Sequence, residues 1–161
     1  MKIEPKDLAR LVVALALSLA AGAVGGIATA SSVSTWYPAL IKPAWTPPDW
    51  LFGPVWTLLY VLMGIALWLV WREGIRDRAV RIAVTFFGIQ LALNLLWSLL
   101  FFGLRSPGIA LIEIIILWVM ILLTGVKFYR LKPPAGWLMS PYLLWVTFAA
   151  ALNAAIWWLN R

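Results

Sequence analysis

Long apolar runs alternate with short basic connectors along this chain, and the length of the runs sets the scale of the protein. A helix rises 1.5 Å per residue, so about 20 apolar residues cross ~30 Å of hydrocarbon. Five runs reach that length, at residues 8–30, 51–71, 79–102, 108–128 and 137–159. The connectors 72–78, 103–107 and 129–136 are short, which predicts antiparallel neighbours. The pattern predicts an all-α integral membrane protein: a single domain over residues 1–161, built as a bundle of five transmembrane helices. A Trp/Pro-rich loop separates the first helix from the second.

Composition sharpens this reading. The chain is 64% apolar and 12% charged, where soluble domains carry about 25% charged residues. The net charge of +7 does not point to nucleic acid, because the basic residues lie between the spans and not on one face. They are better explained by membrane topology. Lys2, Lys6, Arg10, Arg72, Arg76, Arg78, Arg81, Lys127, Arg130 and Lys132 fall on one side, and only Lys42, Arg105 and Arg161 on the other. The positive-inside rule then predicts a cytoplasmic N-terminus, with the Trp loop and the C-terminus facing outward.

The first run imitates a secretory signal, with basic residues followed by an apolar stretch and Ala28-Thr29-Ala30. It is longer than a signal core, and it carries small residues every four positions: Ala14, Ser18, Gly22, Gly26 and Ala30. Such a stripe admits another helix closely, so this run is expected to stay as the first span.

The chain has neither Cys nor His. Disulfides, thiolate chemistry, His acid–base catalysis and the usual zinc sites therefore have no ligands here, and no metal site is expected. Any bound tetrapyrrole is therefore expected to be metal-free, or held by its ring face and carboxylates.

Residues 36–56 hold Trp36, Trp45, Trp50 and Trp56, with Pro38, Pro43, Pro47, Pro48 and Pro54, around a single Lys42. Proline fixes φ and removes backbone donors, so this stretch cannot be one continuous helix. Trp has an apolar face and one N–H, which suits either a membrane-surface belt or a lid over an apolar ligand.

Two spans carry polar and aromatic residues on one helical face. Gln90, Asn94, Trp97, Ser98 and Phe101 do so on the third, and Tyr142, Trp145, Ala149, Asn153 and Trp157 on the fifth. The second adds Phe52, Trp56, Tyr60 and Met63. Amides in hydrocarbon need partners, so Asn94 and Asn153 either bond across helices or face a ligand, and spacing leaves both readings open. Glu113 is the acidic residue well inside a span; pairing with Arg105 or Lys42 accounts for it as well as a functional role does. The stretch Val126 to Lys132, around Tyr129, fits a loose sterol-contact pattern and equally an interfacial anchor.

Longer motifs carry a resemblance. They are Trp36-Tyr37, Leu40, Lys42-Pro43, Trp45, Pro47-Pro48 and Trp50; then Pro54, Trp56, Leu59-Tyr60 and Met63-Gly64. Gln90, Asn94, Trp97-Ser98 and Phe101-Phe102-Gly103 follow, and last Pro141-Tyr142, Trp145, Phe148-Ala149 and Leu152-Asn153. In this order and spacing the chain resembles the tryptophan-rich sensory protein/translocator protein (TspO/MBR) family. The resemblance implies a five-helix bundle, often a homodimer, whose members bind porphyrins, sterols and benzodiazepine-type drugs in a pocket closed by the first loop.

Carried over by motif, the ligand-binding positions are Tyr37, Pro47, Phe52, Gly53, Trp56, Tyr60, Asn94, Trp97, Trp145, Ala149 and Leu152. The sequence around Tyr129 departs from the animal sterol pattern, so a bacterial-type role in tetrapyrrole metabolism or stress sensing, in a bacterial membrane, fits better than sterol handling. The expected activity is binding of protoporphyrin-like tetrapyrroles as a sensor or scavenger, with porphyrin as ligand and no required cofactor. The alternatives are light-dependent porphyrin breakdown, in which Trp56 and Trp145 would be the redox-active partners, and transport of porphyrin or sterol. Transport is disfavoured by the lack of an internal repeat.

Overall fold

The computed structural model describes residues 5–161, and among these there are helices and turns but no strands. Lys2, one of the basic residues used to orient the chain, lies outside the described residues. The helices are α1 (Pro5–Thr35), α2 (Asp49–Trp71), α3 (Arg78–Ser98), α4 (Pro107–Leu131) and α5 (Pro133–Leu159). Each is long and apolar enough to cross a bilayer. Outward faces carry residues such as Ile112, Leu144 and Ile27, as a lipid-facing surface should.

Local chemistry sets the helix ends. Pro107 and Pro133 open α4 and α5 at the first helical position, where a missing N–H costs nothing. Asp77 caps α3, its carboxylate accepting from the Ala79 N–H at 2.6 Å. The α2–α3 turn is allowed by Gly74 at φ 115°. α2 starts just after Pro47-Pro48, so Trp50 and Trp56 belong to this helix and only Trp36 and Trp45 lie in the connector before it.

The expected 129–136 connector is absent as a loop. α4 continues to Leu131, α5 begins at Pro133, and Lys132 alone makes the turn. Proline excludes the helical conformation for the residue before it, and Lys132 is extended at φ −149°, ψ 96°. Gly136 makes so tight a reversal possible, because a Cβ there would lie 2.5 Å from the Tyr129 Cβ.

α1 packs on α2 and α3, α4 on α3 and α5, and α5 returns to α2. The core between them holds Met63, Phe87, Ile114, Leu117, Phe128, Met139 and Tyr142, with Phe87 and Phe128 stacked 5.9 Å apart. The small-residue stripe of α1 is only partly the packing face. Ala14, Ser18, Gly25 and Ser32 are buried, while Gly26 and Ala30 are exposed. A strict four-residue step overshoots a 3.6-residue turn, so the contact line drops back by one residue as the helix proceeds. Gly64 of α2 lets the helices close: a Cβ there would sit 3.0 Å from the Leu15 Cα.

At the basic end, Asp7 joins α1 to α2. Its carboxylate meets Arg10 at 3.2 Å and Arg72 at 3.5 Å, and its carbonyl accepts from Trp68 Nε1 at 2.9 Å. Lys132 pairs with Glu73 at 3.0 Å, tying the α4–α5 turn to the end of α2.

Candidate functional site

At the opposite end, α3 does not stop at Ser98 but widens into a π-helical turn over Leu99–Gly103. π turns insert a residue and re-aim side chains, often at functional sites. Here the turn stacks Phe101 on Trp97, with centroids 5.2 Å apart, and brings Phe102 edge-on to Phe101 at 4.8 Å. Ser32 of α1 donates to the Phe102 carbonyl at 2.7 Å, satisfying a group that the irregular turn releases. Arg105 follows at φ 52°, in the left-handed region, and the chain re-enters the bundle at Pro107.

These aromatics form one wall of a cavity of about 170 Å³ between α1, α2, α5 and the end of α3. α1 contributes Gly22, Gly25 and Gly26: a Cβ on Gly26 would meet nothing within 4 Å, whereas on Gly22 it would lie 2.5 Å from the Tyr60 ring, so that glycine admits the tyrosine. α2 contributes Phe52, Trp56 and Tyr60, and α5 contributes Trp145, Ala149 and Leu152. Trp56 lies 5.6 Å from Tyr60 and 6.2 Å from Tyr142, while Phe52 meets Trp145 edge-on at 5.8 Å. The lining is aromatic and small, with few polar groups, which is the makeup of a site for a flat apolar molecule.

The polar residues split between lining and support. Trp97 Nε1 donates to Asn153 Oδ1 at 3.1 Å, and Asn153 Nδ2 donates to the Pro107 carbonyl at 2.8 Å, so this amide is spent on structure although it edges the cavity. Asn94 stands behind the wall: it accepts from the Tyr60 hydroxyl at 2.5 Å and donates to the Tyr142 hydroxyl at 3.0 Å. Trp145 Nε1, by contrast, is buried without a partner among the described residues.

The connector between α1 and α2 covers the cavity. A short 3₁₀ turn, Tyr37–Ala39, buries Tyr37 against Phe101 and Phe102. Lys42 fixes it from above, its ammonium donating to the Tyr37 carbonyl at 2.9 Å and lying 4.4 Å from the Tyr37 ring centre. Burial, then the nearby Asp49 carboxylate, pushes the Tyr37 phenol up to about 12, so it stays neutral. Trp45 packs edge-on to Phe148 at 5.7 Å. Asn160, beyond the end of α5, clasps Ile41 by both backbone groups: the Ile41 N–H donates to its Oδ1 at 3.0 Å, and its Nδ2 donates to the Ile41 carbonyl at 2.9 Å.

Of the positions expected from the motifs, Tyr37, Phe52, Trp56, Tyr60, Trp97, Trp145, Ala149 and Leu152 line the cavity. Pro47, Gly53 and Asn94 do not. Gly53 is exposed on the outer side of α2, Pro47 is half-buried in the connector, and Asn94 is withdrawn to anchor two tyrosines. Gly25, Thr29, Val33, Asp49 and Ile156 also line the space. Gly25, Thr29 and Val33 continue the Gly22 face of α1, and Ile156 the Leu152 face of α5, at helical spacing, so these were detectable; Asp49 depends on where the connector lands. Gln90 lies deeper, its Nε2 3.9 Å from Met63 Sδ. Glu113 pairs with neither Arg105 nor Lys42; both its oxygens are buried without a hydrogen bond among the described residues. Lys42 is occupied by Tyr37, and Arg105 is exposed in its connector.

Fold and site together define a five-helix membrane protein with an aromatic cavity at one end, under the connector of its first two helices. The TspO/MBR family model matches residues 14–159, and the chain belongs to that family. It is 46% identical over 155 residues to the "Tryptophan-rich protein TspO" of Chlorobaculum tepidum, covering 96% of this chain and 98% of that one. Its identity to the protein of the same name from Archaeoglobus fulgidus is 48% over 154 residues, covering 96% and 99% of the two chains. With the "Translocator protein" of Homo sapiens it shares 41% identity over 124 residues, 76% of this chain and 73% of that one.

Proposed function

We propose that this protein binds a protoporphyrin-like tetrapyrrole, or another flat apolar ligand, in the cavity beneath the α1–α2 connector, and acts as a membrane sensor or scavenger. Family membership supports a membrane sensor- or transporter-type role. The observation that carries the finer reading is the convergence of Phe52, Trp56, Trp97, Phe101 and Trp145 on one cavity floored by Tyr60. Large rings stack on such faces.

Size adds a condition. The cavity, at about 170 Å³, is comparable to a ~150 Å³ site that takes a single benzene. A tetrapyrrole therefore enters only with movement of its cover or of the glycine-lined α1 wall. That requirement suits a sensor, because occupancy then changes the outer surface of the bundle.

Light-dependent breakdown of the bound porphyrin is the second reading, supported by Trp56 and Trp145 both lying on the cavity wall. A titration of purified protein with free-base and iron protoporphyrin in the dark, followed by illumination, separates the readings. Saturable quenching of Trp fluorescence without a new pigment marks a binder, and a new absorbing product appearing only in light marks a degrader. No saturable binding of either porphyrin would refute both.

The proposal includes a homodimer and a cytoplasmic N-terminus. Gly88 and Ala92, on the outer face of α3, are exposed and suited to close approach by a second copy.

A further inference from the structure

A second recess lies far from the aromatic cavity, at the basic end, where α4 and α5 reverse at Lys132. It measures about 440 Å³ and is open to the lipid-facing side of the bundle, with Gly125 on α4 and Ser140 and Leu143 on α5 along it. The space exists because Gly125 has no side chain; a Cβ there would touch only Met139, at an ordinary 3.7 Å. The recess ends at Arg130, between two exposed aromatics, Tyr129 and Trp137, packed edge-on at 6.1 Å. Tyr and Trp at this depth mark the headgroup level of a bilayer.

Charge identifies the occupant. The basic residues of this turn are not equivalent: Lys132 is paired with Glu73 at 3.0 Å, and Lys127 lies 4.4 Å from the Phe86 ring centre. Arg130 has no ion pair, ring contact or hydrogen bond from its side chain among the described residues. A planar guanidinium left unpaired at headgroup level matches a phosphate, while the apolar trough below it matches an alkyl chain. We propose that the α4–α5 groove holds one anionic phospholipid, its phosphate on Arg130 and one acyl chain lying past Gly125 and Leu143. Phospholipid fits this site better than sterol, because sterol brings no anion for Arg130.

The test uses the intact protein in detergent with equal amounts of phosphatidylglycerol and phosphatidylcholine of matched chains, read by native mass spectrometry. The wild type should retain one phosphatidylglycerol about fivefold in excess over phosphatidylcholine, the preference expected from one interfacial cation. Arg130→Gln should bring the two lipids to parity. Gly125→Leu, which fills the trough and favours helix, should lose both lipids with helix content and thermal stability unchanged; Ser140→Leu fills it from the other helix if that variant fails to fold. Val119→Leu, on the lipid face of α4 outside the groove, should behave as wild type. Phosphatidylglycerol retention unaltered by Arg130→Gln and by the filling variants would overturn the proposal. So would selective retention of added sterol, or a Gly125→Leu protein that turns monomeric while keeping its lipid, since the groove would then belong to a second copy.

Discussion

Tyr60 on α2 donates its hydroxyl hydrogen to Asn94 Oδ1 on α3 at 2.5 Å, and the ring that makes this bond is also the floor of the cavity. The same amide donates to Tyr142 on α5, so one side chain fixes three helices around the site. Gly22 of α1 lies against that ring, where any Cβ would collide with it. Site shape and bundle stability are therefore set by the same few atoms.

Tyr60→Phe separates the two. The substitution keeps the ring and leaves Asn94 Oδ1 buried without a partner, a loss of about 1–3 kcal/mol. Thermal unfolding in detergent should report lower stability, while porphyrin affinity in the folded protein stays near that of wild type. An unchanged melting temperature would mean that the bond contributes nothing.

The cover is held by Asn160, whose amide takes both backbone groups of Ile41. Asn160→Ala removes this clasp without touching the cavity lining. Stopped-flow fluorescence should show ligand association and dissociation both faster, with a smaller change in equilibrium affinity. Unaltered rates would move the entry route elsewhere, between α1 and the lipid.

Much of this architecture was legible in the sequence, and the part that was not has physical causes. Apolar run length gave the five spans because hydrocarbon thickness fixes it. The faces bearing Trp97 and Trp145 followed from helical spacing. Hydropathy does not show where a helix ends, since Tyr129 and Arg130 continue one while their polar tips reach the interface. It also cannot show the π turn at Leu99–Gly103, which aims Phe101 and Phe102 together. The Ile41–Asn160 clasp joins residues 119 apart and has no local signal. Asn94 carried the right type and spacing for a ligand contact, and only its distances to Tyr60 and Tyr142 reveal an anchoring role.

Topology is checked with single cysteines, which the native chain lacks. Placed at Trp45 and Arg161 they should react with an impermeant reagent from outside intact cells, while one at Arg76 should react only after lysis. Labelling of all three from the same side would contradict the basic-side-in arrangement.

The proposed dimer face is addressed by Gly88→Leu. Gly88 is exposed and a Cβ there meets no atom within 4 Å, so the variant should fold as well as wild type. Detergent-solubilised protein should shift toward monomer in light scattering, with porphyrin binding retained. A variant that stays dimeric would place the contact on another face.

The cavity as the ligand site is tested most directly by filling it. Gly26 lines the space, and a Cβ there meets nothing within 4 Å, so the side chain of Gly26→Phe starts from open space at the cavity edge. Free-base protoporphyrin titrated into wild type, Gly26→Phe, Trp56→Ala and Trp145→Ala, with Trp quenching as the readout, gives four affinities. Loss of one stacking face is worth ~0.5–1.5 kcal/mol, so each Trp variant should bind about two- to tenfold more weakly, and Gly26→Phe should bind weakest of all. Wild-type affinity in Gly26→Phe and in both Trp variants, with each protein folded, would contradict the account.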